Sequence, residues 1–202
     1  MIPSIYADTS IQQIIRHTLS EQGMEVEIGS SLLLANGDLD TENIVILKPD
    51  DFYCTPYFAA PPKSVDGIAI VKAASGKYHF YIVELKSSRF KNIKKSDIQA
   101  KFDTIFQRFF SPDFQHIFVD MDYELETLNL WLVCDPLQMR AKCQDHEQFL
   151  EKVRIIADRL SGLLNDYAAT FKPFSFKHHT AMIRPLLSPP TIELDGYVDL
   201  LA

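Results

Sequence analysis

Long apolar runs are missing from the 202 residues: none approaches the ~20 consecutive positions that a membrane-spanning helix needs. No membrane span is expected. The opening residues, MIPSIYADTS, show neither the basic stretch nor the apolar core of a secretion signal, so a soluble, cytoplasmic protein is expected. Cysteine is scarce. Cys54, Cys134 and Cys143 make an odd count without a close pair, which fits reduced thiols better than a disulfide framework. Cys134, Cys143 and His146 share a neighbourhood, but the C-x-x-C or H-x-x-x-H spacing that would make a zinc site of them is absent. Internal repeats and low-complexity tracts are lacking as well.

A hydrophobic content of 47% over this length is enough for one full core, and a single domain spanning 1–202 is expected. A net charge of −7 argues against a protein that coats nucleic acid non-specifically. The distribution matters more than the sum. From Lys86 to Arg108 seven basic residues (Lys86, Arg89, Lys91, Lys94, Lys95, Lys101, Arg108) face two acids (Asp97, Asp103), a local +5 that leaves −12 for the rest. One basic surface on an acidic body is the footprint of a protein that meets a polyanion at one place.

Along the chain, Ile11, Ile14, Ile15 and Leu19 recur at helical spacing after a cap at Asp8 or Thr9, with Gly23 as the stop, which predicts a helix over 10–22. Glu21 falls near its apolar stripe. Met24–Leu34 and NIVILKPD at 43–50 are strand candidates, and proline-rich 51–63, with Pro56, Pro61 and Pro62, predicts a loop. A helix after a cap at Ser96 follows from Ile98, Phe102, Ile105, Phe106 and Phe109, with Gln99 on its inward side. HIFVDM and TLNLWLVCDP predict strands, with Phe118 and Trp131 in the core. Residues 145–168 predict one long helix, and the tail after Phe171 a loop with a short edge strand at TIELDGYVDL. His178 and His179 belong to a loop-like stretch.

The stretch YIVELKSSRF puts Glu84 and Lys86 two residues apart on an otherwise apolar strand, hence on one face. Upstream, VDGIAIVK and KYHFYIVELK flank Ala74-Ser75-Gly76, a three-residue connection suited to a turn-plus-bulge hairpin. Centring the hairpin on Ser75 sets Val71 against His79, Ile68 against Ile82 and Asp66 against Glu84. Two carboxylates about 5 Å apart repel, and something positive must offset them. A divalent cation between them, with Lys86 beside it, would do so.

Asp66, an intervening hairpin, Glu84-x-Lys86 and a basic amphipathic helix resemble the PD-(D/E)xK nuclease superfamily, the fold of many type II restriction endonucleases, Holliday-junction resolvases and repair nucleases. The resemblance covers roughly 10–135 and leaves the final third, 145–202, unmatched. Val65 stands where the eponymous proline would, and the literal Pro49-Asp50 pair lies 34 residues before Glu84, a poorer fit. The resemblance implies an α/β fold, a restriction-endonuclease-like central mixed β-sheet flanked by helices. It also implies a magnesium-dependent deoxyribonuclease, with manganese as a substitute. Asp66, Glu84 and the Leu85 carbonyl would hold the metal, Lys86 would sit beside the attacking water, and Gln99 would orient water or phosphate. An acid from the first helix would join them, with Glu21 in that place and Glu25 and Glu27 as competitors. Arg89, Lys91, Lys94, Lys95 and Lys101 would contact DNA, RNA being left open, and cutting both strands of a duplex would call for a homodimer. The alternative is a non-catalytic nucleic-acid-binding or assembly protein that retains the fold.

Overall fold

A hairpin organises the molecule. In the computed structural model, which describes residues 1–54 and 58–201, β-branched and aromatic residues alternate between two covered faces, so β6 is buried from Tyr78 through Leu85. In chain order the elements are α1 (Ile2–Ala7), α2 (Thr9–Gln12), β1 (Ile15–Arg16), β2 (Leu19–Glu21), β3 (Met24–Ile28), β4 (Ile44–Leu47), α3 (Pro49–Tyr53), β5 (Gly67–Lys72) and β6 (Tyr78–Lys86). There follow α4 (Lys95–Thr104), which continues as a π-helical segment over Ile105–Asp113, then α5 (Gln115–Phe118), β7 (Leu125–Cys134), α6 (His146–Ile155) and α7 (Ala157–Ala168). The chain ends with β8 (Phe174–Phe176), β9 (His179–Ala181), β10 (Ile183–Leu187), β11 (Thr191–Glu193) and β12 (Gly196–Val198).

The main sheet is mixed, in the order β1-β4-β5-β6-β7-β10. Its first four strands pair antiparallel, while β6, β7 and β10 run parallel, the β6 to β7 crossover being made by the α4–α5 layer. That layer packs an aromatic core of Phe80, Phe102, Phe109, Phe110, Phe114 and Phe118 on one face. The other face, with Tyr81, Val83 and Trp131, is covered by the small sheet β12-β11-β3-β2. The fold is thus mixed α/β, with helices against one face and a second sheet against the other.

Between β5 and β6 the expected register holds: Ile68 faces Ile82 and Val71 faces His79. Ala73 closes the turn by donating its N–H to the Lys77 carbonyl at 2.9 Å, and Gly76, at φ +82°, supplies the left-handed residue that the bulge requires. Gly67 has a different role. A side chain there would begin 1.9 Å from Leu19 Cδ1, so its absence lets β2 lie against the hairpin next to Asp66.

Seven expectations are corrected. The helix over 10–22 is two short helices and a hairpin: Asp8 does cap, accepting from Ser10 and Ile11, but β1 starts at Ile15. Gln22 and Gly23, at φ 49° and 79°, form the tight β2–β3 turn, so Gly23 is a hairpin glycine rather than a helix stop, and Glu21 sits on a strand. HIFVDM is α5 and a turn, and Ser96 lies inside α4, whose N-cap is Lys94 without a side-chain cap bond. The long helix breaks at Ile156 (φ −117°, ψ 16°). The expected loop gives residues up to Tyr53 to α3, with Pro49 in its first turn, and Pro56 lies outside the described residues. The tail carries more than a loop and a short edge strand, because β10 joins the main sheet beside β7, with Leu186 across from Val133.

Leu186 is 1% exposed. Leu186→Ala should therefore cost about 2–5 kcal/mol in urea unfolding, the range for a core leucine. A cost within 0.5 kcal/mol would show that the tail is only appended.

Candidate active site

Continuing the hairpin register past Gly67 and Val83 brings Asp66 and Glu84 together at the start of β5 and the end of β6. Asp66 bends into the ladder: its Oδ2 accepts the Leu85 backbone N–H at 2.6 Å. Glu84 stands on the face of Phe80 and Ile82, beneath α4, and is fully buried. A buried carboxylate is costly unless countercharge reaches it. Two ammonium groups do. Lys86 Nζ lies 2.5 Å from Glu84 Oε1 across one strand repeat. Lys101 on α4 reaches both acids, 2.7 Å from Glu84 Oε1 and 3.5 Å from Asp66 Oδ1, and donates a hydrogen bond to Glu84 Oε2 at 2.9 Å.

Lys101 is the residue whose role changes most. Expected at a nucleic-acid surface, it is instead four-fifths buried between the carboxylates, which is where the sequence argument put a divalent cation. Its position follows from helical spacing, because Ile98, Lys101 and Ile105 share the stripe of α4 that faces the sheet. Burial opposes the Lys101 ammonium, but Glu84 and Asp66, with Asp50 of α3 behind them, outweigh it and hold its pKa above the ordinary value. Glu84 moves the other way. Burial first and Asp66 second push its carboxyl up to about 7, against the pull of Lys101 and Lys86.

The donor set suits a hard cation. Carboxylate oxygens of Asp66 and Glu84 face one another, and Glu84 Oε1, though close to two ammonium groups, makes no hydrogen bond among the described residues. In a strand the N–H and C=O of one residue leave on the same edge, so the Leu85 carbonyl shares the side that Asp66 engages. A third acid is not gathered: among the described residues no cluster of three His, Cys, Asp or Glu side chains is poised around one point. Glu21 is half-buried on β2 with no hydrogen bond or ion pair to Asp66 or Glu84. Glu25 pairs with Arg140 at 3.5 Å, and Glu27 accepts from Thr191.

Gln99 is not brought to the carboxylates. Its Oε1 accepts the Lys172 backbone N–H at 3.2 Å, tying α4 to the segment after α7. Of the basic residues expected at a surface, Arg89 bonds Gln138, Lys95 lies over the Tyr167 ring at 4.8 Å, and Lys91 and Lys94 extend into solvent. Lys86 and Lys94 line a groove of about 340 Å³ with Gln22, Ser87, Ser88, Asn92 and one acid, Asp97, which Lys63 pairs at 2.8 Å; the groove gives Lys86 an open side as well as its partner Glu84.

No protein-family model, curated protein or solved structure matches this chain.

The raised Glu84 pKa has a consequence for stability with a definite sign. The native state binds the Glu84 proton more tightly than the unfolded chain, so the stabilisation is full below about 4.5 and is lost as pH rises through about 7. Measured against Glu84→Gln, the wild type should lose on the order of 1–3 kcal/mol over that window. A pH-independent difference in unfolding free energy would show that Glu84 titrates normally.

Proposed function

We propose that the chain is a magnesium-dependent phosphodiesterase acting on DNA, built on a restriction-endonuclease-like fold. The observation that carries this reading is the convergence of Asp66, Glu84 and Lys86 at one end of the central hairpin, next to a groove open to solvent. The sheet arrangement supports it, since an antiparallel run that passes through β6 into parallel neighbours places this corner at the carboxyl end of the central strand.

Asp66 and Glu84, with the Leu85 carbonyl, would hold magnesium, which would supply positive charge for the phosphate and lower the pKa of a bound water. The protein's own groups account for the rest. Lys86 faces both Glu84 and the groove, so its compact ammonium would donate to a phosphate oxygen and steady the attacking water. Asn92 and Lys94 in the groove wall, with Lys91 nearby, would take neighbouring phosphates. Asp66 is held by the Leu85 N–H, so its carboxylate is oriented before any ligand arrives.

A second reading is favoured by Lys101. An ammonium already bridging the two acids makes a self-contained ion-pair cluster, as in a fold that binds nucleic acid without cutting it.

Two measurements separate the readings. Asp66→Ala and Lys86→Ala should each lower magnesium-stimulated cleavage of DNA by about 100-fold or more, with unchanged circular dichroism. Lys101→Met should bind magnesium about tenfold more tightly by calorimetry, because the metal no longer displaces an ammonium, and its lost thermal stability should return as the metal is added. If neither wild type nor Lys101→Met takes up magnesium or manganese, the non-catalytic reading stands.

A further inference from the structure

We infer that Asp50, in the first turn of α3, is the receiving carboxylate for Lys101, whose ammonium turns to it on giving up the place between Asp66 and Glu84 to a divalent cation. Asp50 is then a positioning residue, acting on the metal site through Lys101. The inference rests on the nuclease reading for the metal and extends it to a residue outside the Asp66, Glu84 and Lys86 set.

The ammonium has to move. Its nitrogen lies 2.7 and 2.9 Å from the two carboxylate oxygens of Glu84 and 3.5 Å from Asp66. Magnesium binds carboxylate oxygens at about 2.1 Å, so an ion sharing these oxygens would occupy nearly the same point as the nitrogen. Two cations cannot share it. The head of Lys101 can swing while α4 stays in place, because its four-carbon stem is flexible and 19% of the side chain is exposed. An ammonium turned into a half-closed site without a partner is costly, so its destination sets part of the metal affinity.

The sheet register supplies that destination. Leu47 of β4 faces Ile68 of β5, and carrying the pairing two residues on sets Pro49 across from Asp66. Asp50 follows at the start of α3. Asp50, Asp66 and Glu84 therefore lie at the same end of three neighbouring strands, in the order β4, β5, β6, with Asp66 in the middle. Movement of the ammonium from Glu84 toward Asp50 runs along this row.

The other acids nearby are taken or turned away. Asp97, one turn before Lys101 on α4, pairs with Lys63 at 2.8 Å, and Asp51 pairs with Arg16 and Lys48. Asp103 is two residues along the helix from Lys101 and so does not face it. Half-buried Asp50 has no ion pair among the described residues, and its side chain meets only the Cys54 thiol, a weak donor. Its charge already reaches Lys101: burial opposes that ammonium, while Glu84, Asp66 and Asp50 favour it. Held at Asp50, the ammonium stays paired, and its repulsion with the incoming ion is offset.

The test is a double-mutant cycle in magnesium affinity, read by calorimetry on wild type, Asp50→Asn, Lys101→Met and the double variant. Asp50→Asn preserves the shape of the side chain and should leave the thermal midpoint near wild type. It should weaken magnesium binding about fivefold or more where Lys101 is present, and by less than about twofold in the Lys101→Met background, which has no ammonium to receive. Equal weakening in both backgrounds would show that Asp50 acts on the metal by its own charge, and unchanged binding in both that it has no part. Either result overturns the inference and leaves the nuclease reading standing. So does magnesium uptake by Lys101→Met but not by wild type, because the ammonium would then have nowhere to go. If none of these proteins takes up magnesium, both fall.

Discussion

Two carboxylates forced together by a β-turn are the constraint on which the rest of the structure depends. The Ala74–Gly76 connection fixes the register, the register places Asp66 beside Glu84, and burial under α4 removes the water that would otherwise screen them. Like charges at such a site are tolerated only with compensation, and the chain brings it from two directions. Lys86 comes along the strand and Lys101 comes down from the helix. Because α4 is the crossover between β6 and β7, the ion pair also pins the helical layer to the sheet at the point where the strand direction changes from antiparallel to parallel. Fold and site are therefore one set of contacts.

What the sequence discloses depends on whether the determining interactions are local. The hairpin register was readable because turn chemistry at Gly76 and two apolar strands agree, and Asp66, Glu84 and Lys86 follow from it by period-2 geometry. The N-terminal segment misleads because Ile11, Ile14 and Ile15 suit a helix stripe as well as a helix followed by a strand, and a glycine that ends a helix looks like one that turns a hairpin. Only the pairing of β1 with β4, some 30 residues away, separates the two. Lys101 was legible in principle, since Ile98 and Ile105 place it on the inward stripe, but a lysine in a basic run suggests a solvated face. In the tail, Pro185 is at odds with a central strand, and β10 accommodates it because it is the sheet edge, where a missing N–H is tolerated.

Acidic and basic residues are divided between structure and surface in a way that composition alone conceals. The +5 segment does not form one cationic face. Lys86 and Lys101 are committed to buried acids, Arg108 lies over Tyr53 and Phe58, Lys95 over Tyr167, and Arg89 bonds Gln138. Lys91 and Lys94 remain as solvent-facing charges beside the groove.

That small residue of free charge bears on how a polyanion would be held. Each phosphate contact contributes a counterion-release step, so two exposed lysines supply only a shallow electrostatic attraction, against a body whose remaining charge is negative. Long-range steering over the whole surface would then be weak, and affinity would have to come from short-range groups within a few ångströms of such a strand. The groups available for that lie where the sheet ends: Lys86, Ser87, Ser88 and Asn92 beside the β2–β3 turn. Under the proposed function, a surface of this kind would discriminate by fit and hydrogen bonding more than by charge. The low net basicity and the deep placement of the acids are then two sides of one arrangement, in which most of the cationic charge near the site is turned inward to hold the carboxylates.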